Sequence, residues 1–404
     1  MNHRTAPPIT DVHHMKLCYS KDRYCGHPRQ SPVRNFSGGE IAVAHFHAPA
    51  TYETRQNIGH GHHNYMGRSQ VLLQRSLDHG ETWLPENEVV IWDHARPLAE
   101  RRAILHRADE PSVEREEIDL TSPDAMVAFP RHATGPADPE GRPSLECFVV
   151  RSADRGRTWE TVPTRMSPPP GFNFVSVDGA APIQFPDGTL VVPAWLDNRN
   201  SGSNSQDYYN AITGLYGSDD NGLSWTYLGQ VSDEPPAKGR HGYANLILLP
   251  NGRLQCYFNR IDNGLRNTIE LTYSDDGGYS WSPPRPIVAW GDSPWAARRR
   301  PGTGWGGWFY RSPWPLRLRD GRIVVLFARR KTPSGIGLIV SEDDGATWSA
   351  EAIVRDDGSG GDLGYPVATQ LDDGRIFTAY YFMEDDGNNF GGTRHIAGSF
   401  FQLT

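Results

Sequence analysis

Two tyrosines, Tyr243 and Tyr365, each stand nine residues before the glycine of an Asn-Gly or Asp-Gly turn, at Gly252 and Gly374, and His241 precedes Tyr243 by two. Ten residues before the corresponding glycines Gly39, Gly188 and Gly321 stand Arg29, Asp178 and Arg311, joined by Arg131 if Gly141 is the matching turn. Such a set suits chemistry on an anion. A guanidinium forks onto a carboxylate through two parallel hydrogen bonds. A phenol, with an ordinary pKa near 10, becomes a nucleophile or a base only when a neighbour helps it lose its proton. Ion pairing between packed elements is the competing use of the same residue types.

Two other stretches carry reactive groups. The run Thr51–Asn64 holds Glu53, a candidate acid, together with His60, His62 and His63. The histidines could act in catalysis or contact a substrate, but their spacing matches no known set of metal ligands. Neither metal nor cofactor is expected. The segment 290–308 holds Trp290, Trp295, Trp305 and Trp308 around Arg298-Arg299-Arg300, and flat indoles of this kind stack on sugar rings.

The elements that must position these groups are written as a repeat. The pattern Ser-x-Asp-x-Gly-x-(Thr/Ser)-Trp occurs at 76–83, 152–159, 218–225, 274–281 and 341–348. Asp and Ser side chains fold back onto nearby backbone N–H groups, and Gly supplies a conformation closed to other residues. The Trp buries an apolar face under the turn. Five such boxes at intervals of 56 to 76 residues indicate a repeat architecture. Upstream of the boxes lies a second series, including Asp187-Gly188, Asn251-Gly252, Asp320-Gly321 and Asp373-Gly374 between alternating apolar segments, the strongest local signal for a hairpin. Gly38-Gly39 opens the series, and Glu140-Gly141 reads as a degenerate copy.

Each unit therefore reads as four strands, and six units make an all-β, six-bladed β-propeller with four-stranded antiparallel blades. The blades are expected at about 27–95, 125–165, 172–232, 240–288, 306–356 and 362–404. Residues 27–404 form one domain in this reading, and 1–26 an N-terminal extension closing onto it. The sixth unit lacks a box, and its last segment, from Thr393, reads as the closing strand. The charged stretch 96–124 reads as an irregular insertion.

Composition narrows the function. A net charge of −8 and a pI near 6.0 leave no basic surface for tracking phosphates, so no nucleic-acid partner is expected. No apolar run approaches a membrane span, and the N-terminus lacks the apolar core of a signal peptide. The expectation is a soluble protein, cytoplasmic as written, or periplasmic or secreted if a leader was removed. The four cysteines, Cys18, Cys25, Cys147 and Cys256, form no disulfide framework and read as free thiols.

With boxes and spacing in view, nearly the whole chain from about residue 27 resembles the sialidases (neuraminidases) and the wider superfamily sharing their fold. The resemblance implies three arginines gripping a carboxylate, a Tyr nucleophile helped by a Glu, and an Asp acid/base on a loop. It places Tyr365 at the nucleophile, Arg29 and Arg260 at two of the arginines, and Arg311, Arg329 or Arg330 at the third. The Glu position falls near Asn245, and the Asp position within Thr51–Asn64. The implied substrate is an anionic glycan, and the implied activity an exo-glycosidase acting on a sialic-acid-like sugar. Two alternatives stay open. One is a polysaccharide lyase or other glycosidase acting on uronate-containing glycans, in which Arg or His neutralises the carboxylate and Tyr or His takes the C5 proton. The other is a non-catalytic carbohydrate-binding propeller. Under either enzymatic reading Tyr365 reacts, with its phenol exposed at the channel mouth, and His241 or Tyr243 beside it.

Overall fold

The computed structural model describes residues 5–28, 33–54, 58, 69–110, 112–137, 143–177, 179–197, 211–232, 240–261, 267–289, 310–330 and 332–404. Six antiparallel sheets are arranged as the blades of a β-propeller. The chain begins with β1 (Ile9–Cys18). Blade one follows, with an inner row broken into β2 (Arg23–Gly26) and β3 (Arg34–Asn35), then β4 (Ile41–Pro49), β5 (Gln70–Ser76) and outermost β6 (Val89–Asp93). A helix, α1 (Leu98–Ala108), leads to blade two, built of β7 (Met126–Ala128), β8 (Arg131–Ala137), β9 (Pro143–Ser152) and β10 (Thr164–Met166). Blade three comprises β11 (Phe174–Ser176), β12 (Ile183–Gln184), β13 (Leu190–Asp197), β14 (Ile212–Ser218) and β15 (Thr226–Gln230). Blade four runs through β16 (Arg240–Leu248), β17 (Leu254–Ile261), β18 (Asn267–Ser274) and β19 (Arg285–Ala289). Blade five contains β20 (Tyr310–Arg317), β21 (Ile323–Arg329), β22 (Ser334–Ser341) and β23 (Ala352–Gly358). Blade six contains β24 (Gly364–Gln370), β25 (Ile376–Glu384) and β26 (Thr393–Leu403).

Successive side chains on a strand point to opposite faces, and here both faces meet another blade. In β21, Ile323, Val325 and Phe327 join the cluster shared with blade four, while Val324, Leu326 and Ala328 join the one shared with blade six. This is why β21 is apolar at every position from Ile323 to Ala328 instead of every other one.

All five boxes adopt one geometry. In the fourth, the Ser274 Oγ accepts from Gly278 N at 2.8 Å and donates to Asp276 Oδ1 at 2.7 Å. Asp276 in turn accepts from the Ser280 N and Oγ, at 2.9 and 2.5 Å. These bonds hold the Asp276 carboxyl down at about 2, with the Ser280 hydroxyl the largest cause. The indoles of Trp83, Trp159, Trp225 and Trp281 each donate to the carbonyl of their own box glycine. The glycine itself abuts the preceding blade: a Cβ on Gly156 would meet Leu73 Cδ2 of blade one at 2.4 Å, and one on Gly80 would meet Phe400 Cζ of blade six at 2.6 Å.

Three elements differ from the sequence reading. The strand from Thr393 is third in its blade, not outermost. Its outer neighbour is β1, paired from Ile9 opposite Leu403 to Cys18 opposite Ile396, so the N-terminus closes the ring. Within 96–124 the run Leu-Ala-Glu-Arg-Arg-Ala-Ile-Leu is helical because these are good helix formers, and its charges are the solvated side of α1. In blade two, β9 leads into the box at Ser152, as the third strand does in blades one, three, four and five. The strands β7 and β8 pairing with it are therefore the second row, so Arg131, the first residue of β8, is not equivalent to Arg311 of the first row, and Gly141 lies outside the described residues. Among the described residues no strand lies inside the second row of that blade.

The box geometry predicts a contrast between adjacent glycines. Gly278 has φ of 101° and would place a Cβ 2.3 Å from the buried Leu215 Cδ2, whereas Gly277, at 77°, would meet nothing within 4 Å. Gly278→Ala should lose about 2–4 kcal/mol of stability, from the backbone conformation and the overlap together. Gly277→Ala should lose about 1 kcal/mol. Denaturant unfolding of the two variants measures both, and equal losses would mean that the turn is not wedged against blade three.

Candidate functional site

The inner strands β16, β20 and β24 share a defect near their first residues. Register breaks between Gly242 and Asn245, between Arg311 and Trp314, and between Gly364 and Val367. The residue inside each break is left-handed: Tyr243 at 58°, Ser312 at 49° and Tyr365 at 53°. All three stand nine residues before their hairpin glycine. A bulge re-aims the side chains beside it, and a bulky residue with positive φ persists only where its surroundings hold it. In blade five the hold is Asn259, whose Oδ1 accepts from Ser312 N at 2.6 Å while its Nδ2 donates to Tyr310 O at 3.1 Å.

The three bulges bring one arginine between two phenols. Arg311 Nη2 donates to Tyr243 OH at 2.6 Å and to Tyr365 OH at 3.3 Å. The rings of Tyr243 and Tyr365 meet edge to face at 5.3 Å. On the other side of Tyr365 lies Arg330, its guanidinium carbon 5.7 Å from the ring centre. Arg330 donates through Nη2 to Tyr381 OH at 2.6 Å and through Nε to Leu363 O at 2.8 Å. Tyr381 donates its own O–H to Asp362 Oδ1 at 3.0 Å, and Asp362 Oδ2 accepts from Arg394 Nε at 3.0 Å. Burial pushes the Tyr381 phenol well above its ordinary value against the opposing charge of Arg330, so Tyr381 stays a donor. His27, left-handed at 50°, packs its ring 4.7 Å from both Tyr365 and Tyr381.

Tyr365 is only 3 % exposed, not open at the channel mouth as expected. The bulge turns its ring inward, where His27, Tyr243 and Tyr381 surround it. His27, Tyr381, Asp362 and Arg394 were not singled out by the sequence. Tyr381 and Arg394 lie in strands, His27 and Asp362 just outside them, and no repeat position marks any of the four.

The other candidates separate from this cluster. His241 contacts Ser232 Oγ through Nδ1 and Phe258 at 4.6 Å between ring centres. Burial, then the charge of Arg260, pushes its pKa down to about 3, so it is a neutral ring. Arg260 stands opposite His241 in the register, with Nη1 3.8 Å from Glu270 Oε1. Arg329 is turned within blade five to Glu351, 2.7 Å away. Asn245, near the expected Glu position, donates to Pro313 O at 3.0 Å across the blade interface. Glu53 is exposed, within reach of Thr51 Oγ1 at 3.4 Å. Arg29, His60, His62, His63, Asp178, Trp305 and Trp308 lie outside the described residues. Among the described residues no group of His, Cys, Asp and Glu is arranged to hold a metal ion, and no helix is long and apolar enough to cross a membrane.

The family model of the BNR repeat-like domain matches residues 91–378, more than half of the chain. The chain belongs to this family. Similar solved structures place this BNR propeller among the sialidase folds. A protein of unknown function from Dyadobacter fermentans superposes with a TM-score of 0.70 at 21 % identity, covering 98 % of this chain and 100 % of that one. The Hadza microbial sialidase Hz136 gives 0.56 at 16 %, over 97 % and 68 %. The intramolecular trans-sialidase of Ruminococcus gnavus gives 0.53 at 14 %, over 93 % and 94 %. At these identities the likeness establishes the fold alone. No curated protein matches the sequence.

Because its folded pKa lies near 3, the His241 ring should keep its neutral resonances from pH 8 to pH 5, when an exposed imidazole titrates near 6.5. Histidine NMR across that range tests this, and a midpoint above about 5 would place a proton on His241 and reopen it as an acid/base.

Proposed function

We propose that this propeller cleaves a terminal, carboxylate-bearing sugar of the sialic-acid type from glycans, with Tyr365 as the reacting side chain. The observation that carries the reading is the placing of Tyr365 between two guanidinium groups, Arg311 hydrogen-bonded to its phenol and Arg330 beside its ring. A nearby cation favours the phenolate over the phenol. It also supplies the fork that a sugar carboxylate requires. In this reaction the phenolate oxygen attacks the anomeric carbon, the bond to the departing sugar oxygen breaks, and that oxygen takes a proton from an acid. Glu53 is the described candidate, with His62 and His63 from the same stretch as alternatives. Water then breaks the tyrosyl–sugar bond and returns the phenol. Arg260 and Arg29 are proposed as further carboxylate contacts, and Trp305 and Trp308 as stacking surfaces.

One observation favours a second reading, β-elimination on a uronate. The ring of His27 packs 4.7 Å from that of Tyr365, with Arg311 on the phenol and Arg330 beside the ring, so His, Tyr and Arg stand together. Elimination needs no paired carboxylates. Arg311 and Arg330 would neutralise the uronate carboxylate, Tyr365 or His27 would take the C5 proton, and the C4–oxygen bond would break as a double bond forms between C4 and C5, the departing oxygen taking up a proton to leave as a hydroxyl.

Incubation with sialosides and, separately, with uronate-containing polysaccharides distinguishes the two. Free sialic acid supports hydrolysis, and absorbance from an unsaturated uronate supports elimination. On the substrate that is turned over, Tyr365→Phe should lower kcat by at least about a hundredfold with an unchanged melting temperature. Near-normal turnover by that variant would remove Tyr365 from the mechanism.

A further inference from the structure

The seam at which the ring closes holds two thiols. Cys18 is the last residue of β1, opposite Ile396 of blade six, and Cys25 lies in β2, opposite His47 of blade one. Their sulfur atoms are 3.3 Å apart, both as free thiols. Nothing in the proposed glycan chemistry uses them. We propose that Cys18 and Cys25 form a redox-active dithiol whose oxidation staples the closing strand of the propeller to its first blade.

The two sulfurs are unequal, as an attacking and a resolving thiol must be. Cys25 is fully buried, while Cys18 is half-buried and is the sulfur an oxidant reaches first. The hydrogen bond from Cys25, then that of His45 and the charges of His45 and His47, hold Cys18 down at about 4 against the effect of burial. Cys25 is pushed up by its bond to Cys18 and by burial, so it keeps its proton until Cys18 has reacted. The charged groups facing the pair are His45 and His47 from β4, Arg23 from β2 and Glu88 ahead of β6.

With a hydroperoxide as oxidant the step balances. The Cys18 thiolate attacks one peroxide oxygen, the O–O bond breaks, and hydroxide leaves to become water, giving a sulfenic acid. The Cys25 sulfur then attacks Cys18, the S–S bond forms, and the sulfenic oxygen leaves as a second water with the Cys25 proton. The peroxide gains two electrons and each sulfur loses one. The oxidised strand is the one that continues into His27, two residues beyond Cys25, whose ring lies against Tyr365. Oxidation therefore tethers the segment that carries a wall of the site.

The test uses the full chain. After removal of reductant, the protein is treated with stoichiometric hydrogen peroxide, unfolded, alkylated and digested with trypsin without reduction. Lys16, Lys21, Arg23 and Arg29 put the two cysteines in separate peptides, 17–21 and 24–29. The expected result is a linked pair of these peptides, with Cys147 and Cys256 alkylated throughout. The melting temperature should rise by about 2–5 °C. His45→Asn should slow the linking at pH 7 by roughly tenfold or more, since the thiolate is the nucleophile. Full alkylation of Cys25 after oxidation, or Cys18 recovered as a sulfinic acid, overturns the proposal, and the wild-type digest alone decides this if a variant fails to fold.

Discussion

Most of this structure depends on one contact made repeatedly, the seating of a box glycine against the sheet of the preceding blade. The box carboxylate and serine hydroxyl bind the turn's own N–H groups, so the backbone needs no partner from the neighbouring blade to satisfy them. The turn can then press its bare glycine onto an apolar side chain, Leu73 for Gly156 and Leu215 for Gly278. A β-sheet alone does not fix the angle at which the next sheet packs on it. A rigid turn meeting a fixed depth in the neighbour does, and repetition of that angle closes a ring.

The closure breaks the rule at one place. Blade six carries no box after its third strand, and the chain ends at that point. The missing outer strand comes from the other terminus as β1, whose Leu17 comes so close to β26 that a Cβ on Gly398 would lie 2.6 Å from its Cδ1. The cluster spanning this seam draws on every blade but the second, and includes both Tyr243 and Tyr365. The Arg311–Tyr365 cluster thus sits where the ring is completed, and its walls come from strands far apart in sequence.

Electrostatics at the centre follow from the same crowding. Inner strands converge, so long polar side chains must pair with each other. Arginine meets tyrosine here because a phenol can accept from a guanidinium while its ring packs in an apolar wall. Elsewhere the blades pair arginine with acids, as where Glu40 takes Arg75, Arg155 and Arg157 between blades one and two. In the Arg311–Tyr365 cluster the acid is Asp362, which takes Arg394 and the phenol of Tyr381.

The sequence alone determined the fold class, the blade count and the first hairpins outside blade two, because each of these is local. An Asp-Gly turn or a box dictates its own backbone within eight residues, and repetition makes the signal unmistakable. It also placed Tyr243 and Tyr365 at matching points of their strands, with Arg311 one residue before that point in blade five. Tertiary structure decided what those points do. Whether Arg311 or Arg329 faces Tyr365 depends on which side of a strand each lies, and the bulges at Tyr243, Ser312 and Tyr365 shift that parity with no residue type to announce them. The partners His27, Tyr381, Asp362 and Arg394 come from blades one and six, brought together only by closure. The offset of blade two was hidden for the same reason, since only strand pairing shows β8 and β9 to be the second and third rows of that blade.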